Sequence, residues 1–150
     1  MQLVGSRGDI QPFISLALEL QNFRHHVRIA THPTFQALVE DNGLEFFSIG
    51  GDPAELMAYM VRNPGLLPSY EAVAKGDVGR KRAVLRGIME RCWLSCIEPS
   101  DVKAITADQV KTPWGDPKPF VADAIIANPP AFAHIHCAEK LGIPLHLVFT

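Results

Sequence analysis

Apolar residues recur along this chain with two alternating periods. Leu3-Val4 is a short apolar stub, and Gly5-Ser6-Arg7-Gly8-Asp9 is a turn behind it. Phe13, Leu16, Ala17 and Leu20 then recur at i, i+3, i+4 and i+7, which predicts a helix with one buried face. The pattern predicts that this helix opens at Pro12, because proline at the first helical position lacks only an N–H that had no partner there. Gln11 is then the N-cap, and Asp9 lies two residues outside the helix. Val27–Thr31 is short and β-rich, a second strand. His32-Pro33 ends it. A helix over Thr34–Asn42 sets Phe35, Leu38 and Val39 on one side, and Gly43 stands where a helix C-cap belongs. Leu44–Ile49 is a third strand, stopped by Gly50-Gly51-Asp52-Pro53. Strand, helix, strand, helix, strand at this spacing predicts parallel βαβ units with right-handed crossovers. The fold class is therefore α/β, with flanking helices on a parallel sheet.

The middle of the chain reads differently. Ala54–Val61 is a short helix broken at Asn63-Pro64-Gly65, and a long helical stretch follows Pro68. Its second half carries an apolar stripe of Leu85, Ile88, Met89, Cys92 and Cys96, read as core, with Arg82 and Arg86 on another face. From Pro99 to Pro119 prolines accumulate and periodicity vanishes, which predicts a flexible loop. Phe120–Ala127 is a fourth strand and Asn128-Pro129-Pro130 its turn. Ala131–Leu141 is a helix closed by Gly142, and Leu145–Phe149 a fifth strand. A domain that stops on an unfinished strand is expected to be a fragment.

Composition bounds this picture. At 150 residues the chain fits one domain, which at this size buries roughly 68–70% of its unfolded surface. Fourteen Lys and Arg against sixteen Asp and Glu leave a net charge of −2, so there is no electrostatic case for nucleic acid. Three cysteines, Cys92, Cys96 and Cys137, are too few and too odd a number for a disulfide framework. Free thiols point to a reducing, cytoplasmic compartment. The N-terminus shows no basic and apolar regions of a signal peptide, and no apolar run is long enough to span a membrane.

Ligands of open α/β sheets bind outside the carboxyl ends of the strands. Three loops qualify: Gly5–Gln11, His32–Thr34 and Asn128–Pro130. In the first, Gly5 and Gly8 permit tight turning and close backbone approach. Asp9 at the mouth of the helix either serves the helix cap and dipole or acts as a general base toward a hydroxyl. The loop matches neither Gly-x-x-x-x-Gly-Lys-Ser/Thr nor Gly-x-Gly-x-x-Gly, so neither nucleotide cradle applies. His134 and His136 are two apart and point roughly 200° from each other on a helix, so they cannot share a metal. The run Arg80-Lys81-Arg82 with Arg86 and Arg91 is a basic helix face, either solvated or turned to anionic lipid.

Residues 5–14, Gly-Ser-Arg-Gly-Asp-Ile-Gln-Pro-Phe-Ile, resemble the opening loop and helix of the sterol 3-beta-glucosyltransferases, of the glycosyltransferase family 28 N-terminal type. Val27–His32 resembles the second strand of that family, Phe47–Pro53 the segment after its third, and Ala127–Glu139 its fourth-strand turn and helix. The likeness is specific in these blocks and generic from Ser69 to Lys118, and is nearest to the fungal members. It implies the N-terminal half of a GT-B enzyme: a Rossmann-like, acceptor-binding domain over residues 1–150, with the UDP-sugar domain absent. It implies inverting transfer of glucose from UDP-glucose to a sterol or lipid 3-hydroxyl, with Asp9 as the base and no metal or cofactor. Acceptor-binding candidates are then Ser6, Arg7, Gly8, His32, Asn128, Pro129 and His134. Apolar residues between Pro53 and Cys96, such as Leu56, Tyr59 and Tyr70, would meet the sterol or simply cover the core. Peripheral membrane contact belongs to the same expectation. Arg24 stands where the family usually has Gly, and the first strand is cut to a stub. Without a donor half the 150 residues are expected to be inactive alone. The competing expectation is a truncated, non-catalytic module that binds a hydrophobic ligand, a membrane or a partner.

Overall fold

The computed structural model of the chain describes residues 1–55, 58, 77–99 and 120–149. Most of the expected helix over Ala54–Val61, the stretch from Pro68 to Gly76, the apolar residues Leu56, Tyr59 and Tyr70, and the loop from Ser100 to Pro119 lie outside them.

A parallel sheet runs through the centre. Strand β1 (Arg28–Thr31) pairs with β2 (Glu45–Ser48), and β3 (Ile125–Ala127) pairs with β4 (Leu145–Leu147), both parallel. The N-terminal stub joins the two pairs. Gln2 forms parallel bridges to Ala30 on one side and Ala127 on the other. Leu3 N–H donates to the Ala30 carbonyl and Gln2 N–H to the Ile126 carbonyl, each at 2.9 Å. In chain order the strands therefore stand third, second, first, fourth, fifth, the doubly-wound arrangement. The order reverses between the stub and β3, which puts a ligand crevice at the ends of Val4 and Ala127.

Two helical layers cover the sheet. Helix α1 (Arg7–Asn22) and helix α2 (Gln36–Glu40) pack on one face. Their core is Phe13, Ile10 and Val39 against Leu3, Ile29 and Leu44. Helix α3 (Asp77–Leu94) and helix α4 (His134–Leu141) cover the other face, with Ile88, Cys92 and Cys137 against Val4, Ala30 and Ile49. Each large apolar side chain buried this way stabilises the fold by about 1.5–3 kcal/mol.

Several boundaries differ from the sequence expectation. Helix α1 begins at Arg7 with Ser6 as N-cap, not at Pro12, and Pro12 lies inside the helix. Hydrogen bonds between Ser6 and Asp9 set the start one and a half turns earlier. Residues 33–35 form a 3-10 turn ahead of α2, and Pro129–Ala131 another ahead of α4, because each proline stands just behind an extended residue. The fourth strand is only three residues long. Its expected first half turns away instead: Ala122 N–H donates to the Cys96 carbonyl at the end of α3. Leu85 and Met89, expected in the core, are each 42% exposed, while Ile88, Cys92 and Cys96 are buried.

Candidate functional site

The loop after the N-terminal stub is built around one carboxylate. Asp9 is the third residue of α1, and its Oδ2 accepts from the Ser6 N–H at 2.6 Å and from the Ser6 hydroxyl at 2.8 Å. This is a capping-box arrangement, in which a side chain at N3 satisfies a backbone donor at the helix mouth. The expectation that Asp9 lies outside the helix is thus corrected: it caps. It is also only half used, since Oδ2 takes both bonds and Oδ1 takes none from the described residues. Gly5 makes room for it. Its φ is +144°, and a Cβ there would stand 2.5 Å from Asp9 Oδ2. Arg7 and Gly8 are exposed beside it, and Arg7 Nε reaches Gln11 Oε1 at 3.4 Å.

Across the crevice, Asn128 locks the reversal point. Its Oδ1 accepts from Val4 N–H at 3.0 Å and its Nδ2 donates to the Val4 carbonyl at 2.7 Å. The side chain extends the sheet pairing beyond β3, and both ends of its amide are spent on doing so. Pro129 starts the 3-10 turn that follows, and Phe132 ends it at φ +51° and ψ −38° with an outward, 67% exposed ring. A bulky residue at positive φ is an outlier for an L-amino acid. Sequence reasoning passed over Phe132, and no spacing signal marks it.

Two buried histidines flank this edge. His32, just past β1, is buried beneath the Gly50–Gly51 turn. Its Nδ1 lies 2.8 Å from the Gly50 carbonyl, which can only accept, so Nδ1 carries a proton and donates. That Nε2 has no partner among the described residues, and neither has Nδ1 of His134 at the start of α4. Burial, followed by the nearby His136, holds the His134 imidazole below the usual histidine range. The Thr31 hydroxyl is a third buried, unpaired group at the end of β1. Such groups ordinarily find a partner, in protein, water or ligand.

The cysteines lie elsewhere, beneath the sheet between α3 and α4. Gln2 Nε2 reaches the Cys96 sulfur at 3.3 Å and the Cys92 carbonyl at 2.8 Å. Burial pushes the Cys92 thiol up to about 12. The hydrogen bond from Cys96 brings Cys137 down to about 7 and raises Cys96 in return. All three are free and buried.

The chain matches the glycosyltransferase family 28 N-terminal domain over residues 1–150. It is 46% identical over 148 residues to sterol 3-beta-glucosyltransferase UGT80B1 of Arabidopsis thaliana, covering 99% of this chain and 21% of that protein. Sterol 3-beta-glucosyltransferase UGT80A2 of the same plant is 43% identical over 150 residues, again 21% of its length. The sterol 3-beta-glucosyltransferase of Komagataella phaffii is 36% identical over 151 residues, 10% of its length. The chain thus spans about a fifth or less of these relatives. Among solved structures, the calicheamicin glycosyltransferase CalG4 superposes with a TM-score of 0.57 at 17% identity, covering 97% of this chain and 30% of that one. That likeness shows the fold, a Rossmann-like N-terminal half of the GT-B kind. With the match running from first residue to last, the chain belongs to the glycosyltransferase family 28 N-terminal domain family.

Proposed function

We propose that these residues form the acceptor-binding part of an inverting UDP-glucose:sterol glucosyltransferase, with Asp9 as general base. The observation that carries the reading is the half-used carboxylate of Asp9 at the reversal point of the sheet. The names of the plant and yeast relatives supply the substrate class. A sterol 3-hydroxyl hydrogen-bonds to Asp9 Oδ1. Its oxygen attacks the anomeric carbon of UDP-glucose, its proton passes to Oδ1, and UDP leaves from the opposite face of the sugar. Ser6 holds Oδ2, so the carboxylate meets the hydroxyl in one orientation, and positioning supplies much of the rate. Arg7, Gly8 and Pro129 border the acceptor, Phe132 offers it an apolar wall, and His32 Nε2 and His134 Nδ1 take its polar contacts directly or through water. Asn128 shapes the site through Val4. The donor is bound by the part of the enzyme that the relatives carry outside the matched region, so the 150 residues alone turn over no UDP-glucose. A cytoplasmic setting agrees with the three free thiols.

The test is Asp9→Asn in the full-length protein, assayed with UDP-glucose and a panel of sterols. Asparagine keeps an oxygen to accept from Ser6, so the helix cap survives while the base is lost. Turnover should fall by about 10²–10⁴-fold with an unchanged melting temperature. Unchanged turnover removes Asp9 from the role of base.

A further inference from the structure

We propose that Cys137 is a site of oxidation by peroxide and that it closes into a reversible disulfide with Cys96. The inference is independent of the acceptor assignment. Cys137 belongs to α4 and Cys96 to the turn that follows α3, and both lie in the core cluster on that face of the sheet. Gln2 of the central strand gathers them: its Nε2 reaches the Cys96 sulfur at 3.3 Å, and its side chain also hydrogen-bonds Cys137. Cys96 and Cys137 hydrogen-bond to each other directly. The third thiol is placed otherwise. Cys92 precedes Cys96 by one helical turn, and Cβ atoms four residues apart on a helix stand about 5–6 Å from each other. A disulfide requires about 3.5–4.5 Å. The geometry therefore favours the pair that joins two elements over the pair along one.

Access decides which thiol reacts first. Cys137 borders a groove of about 480 Å³, together with Met89 and Trp93 of α3 and His136 and Lys140 of α4. It is itself 3% exposed, so the groove leads a small oxidant to the sulfur and keeps a bulky disulfide out. The thiolate is the nucleophile in such chemistry. The bond from Cys96 holds Cys137 at about 7, where thiolate is present at neutral pH, while burial holds Cys92 at about 12. The Cys137 thiolate attacks one peroxide oxygen. An S–O bond forms as the O–O bond breaks, and the departing hydroxide takes up a proton to become water. The Cys96 sulfur then attacks the sulfenic acid. The S–S bond forms as the S–O bond breaks, and the leaving hydroxide departs as water with the Cys96 proton. The two thiols lose two electrons and the peroxide gains them. The product fastens α4, whose first residue His134 flanks the candidate site, to the turn behind α3.

The experiment treats the full-length, folded protein with hydrogen peroxide, blocks the remaining thiols by alkylation, and maps the peptides by mass spectrometry. The Cys96 and Cys137 peptides are expected as one cross-linked species, lighter by about 2 Da than their sum, which dithiothreitol separates. Cys137 should be consumed at least about tenfold faster than Cys92. In Cys96→Ala the reaction should stop at the Cys137 sulfenic acid, which dimedone captures. Cys137→Ala should leave Cys92 and Cys96 open to alkylation after unfolding. Circular dichroism establishes that each variant is folded, and if one is not, the wild-type map decides alone. Cys96 and Cys137 both recovered as free thiols overturn the proposal. So do equal rates at Cys92 and Cys137, a disulfide from Cys137 to any other cysteine, or oxidation of Cys137 to the sulfinic acid while Cys96 stays free.

Discussion

Phe132 and Gly5 show opposite ways in which single residues shape the site. Gly5 occupies a backbone conformation that a side chain would fill with a clash against Asp9, so its lack of a Cβ lets the carboxylate reach Ser6. Phe132 sits at positive φ although nothing in its own chemistry favours it, and its ring is mostly in water. Strain of this kind costs of order 1–3 kcal/mol, and it marks positions where function keeps the side chain. Phe132→Gly should therefore raise stability by about 1 kcal/mol in urea unfolding, since relieved strain outweighs the entropy of glycine. In the full-length enzyme the same change should raise the KM for sterol several-fold and leave the KM for UDP-glucose unmoved. A destabilised variant with unchanged sterol KM would show that the ring serves packing alone. The spacing of the loop brought Asp9 into view from the sequence. Capping was one of the two readings open to it, but its place inside the helix did not show, because the competing start at Pro12 satisfied the same local rules.

At the scale of elements, three helices end in the same way. Gly43 and Gly142 take left-handed conformations, and the following N–H groups of Leu44 and Ile143 reach back to the Val39 and Ala138 carbonyls. Helix α1 closes identically, with Arg24 N–H donating to Gln21 and His25 N–H to Leu20, but the left-handed residue is Arg24 at φ +66°. Arg24 stands at the one position of this turn where a Cβ is disfavoured and glycine is favoured. Arg24→Gly should stabilise the chain by about 1 kcal/mol. The check is the urea midpoint at constant slope; an unchanged midpoint would mean that the arginine has compensating contacts. The glycine stops were legible because they need no tertiary partner. The fourth strand was overextended because its alternation is weak, and Ala122 pairs instead with the turn that follows α3.

Across the whole molecule, one buried cation ties the layers together. Arg28 of β1 faces Glu45 of β2 in register, with Nε 2.7 Å from Oε1. Its Nη1 donates to the carbonyls of Ser95 and Glu98 behind α3, at 3.0 and 2.7 Å, and its Cζ lies 3.8 Å from the centre of the Phe120 ring. The guanidinium thus satisfies two carbonyls of the turns that follow α3. Arg28→Ala withdraws the guanidinium from Glu45 and from the two carbonyls, and should cost about 3–5 kcal/mol in urea unfolding. A loss below 1 kcal/mol would show that water replaces the guanidinium. Nothing in the local sequence separates Arg28 from the exposed arginines of the chain. The sequence by itself determined the alternation of strands and helices, the parallel class, the helix stops and the loop that holds Asp9, because each follows from period, turn chemistry or spacing within a few residues. Only the tertiary structure decided that the stub becomes the central strand, that Arg28, His32 and His134 go inside, and that Leu85 and Met89 stay out. Those outcomes depend on which distant surfaces meet, and the hydrophobic period of one segment carries no record of its partner.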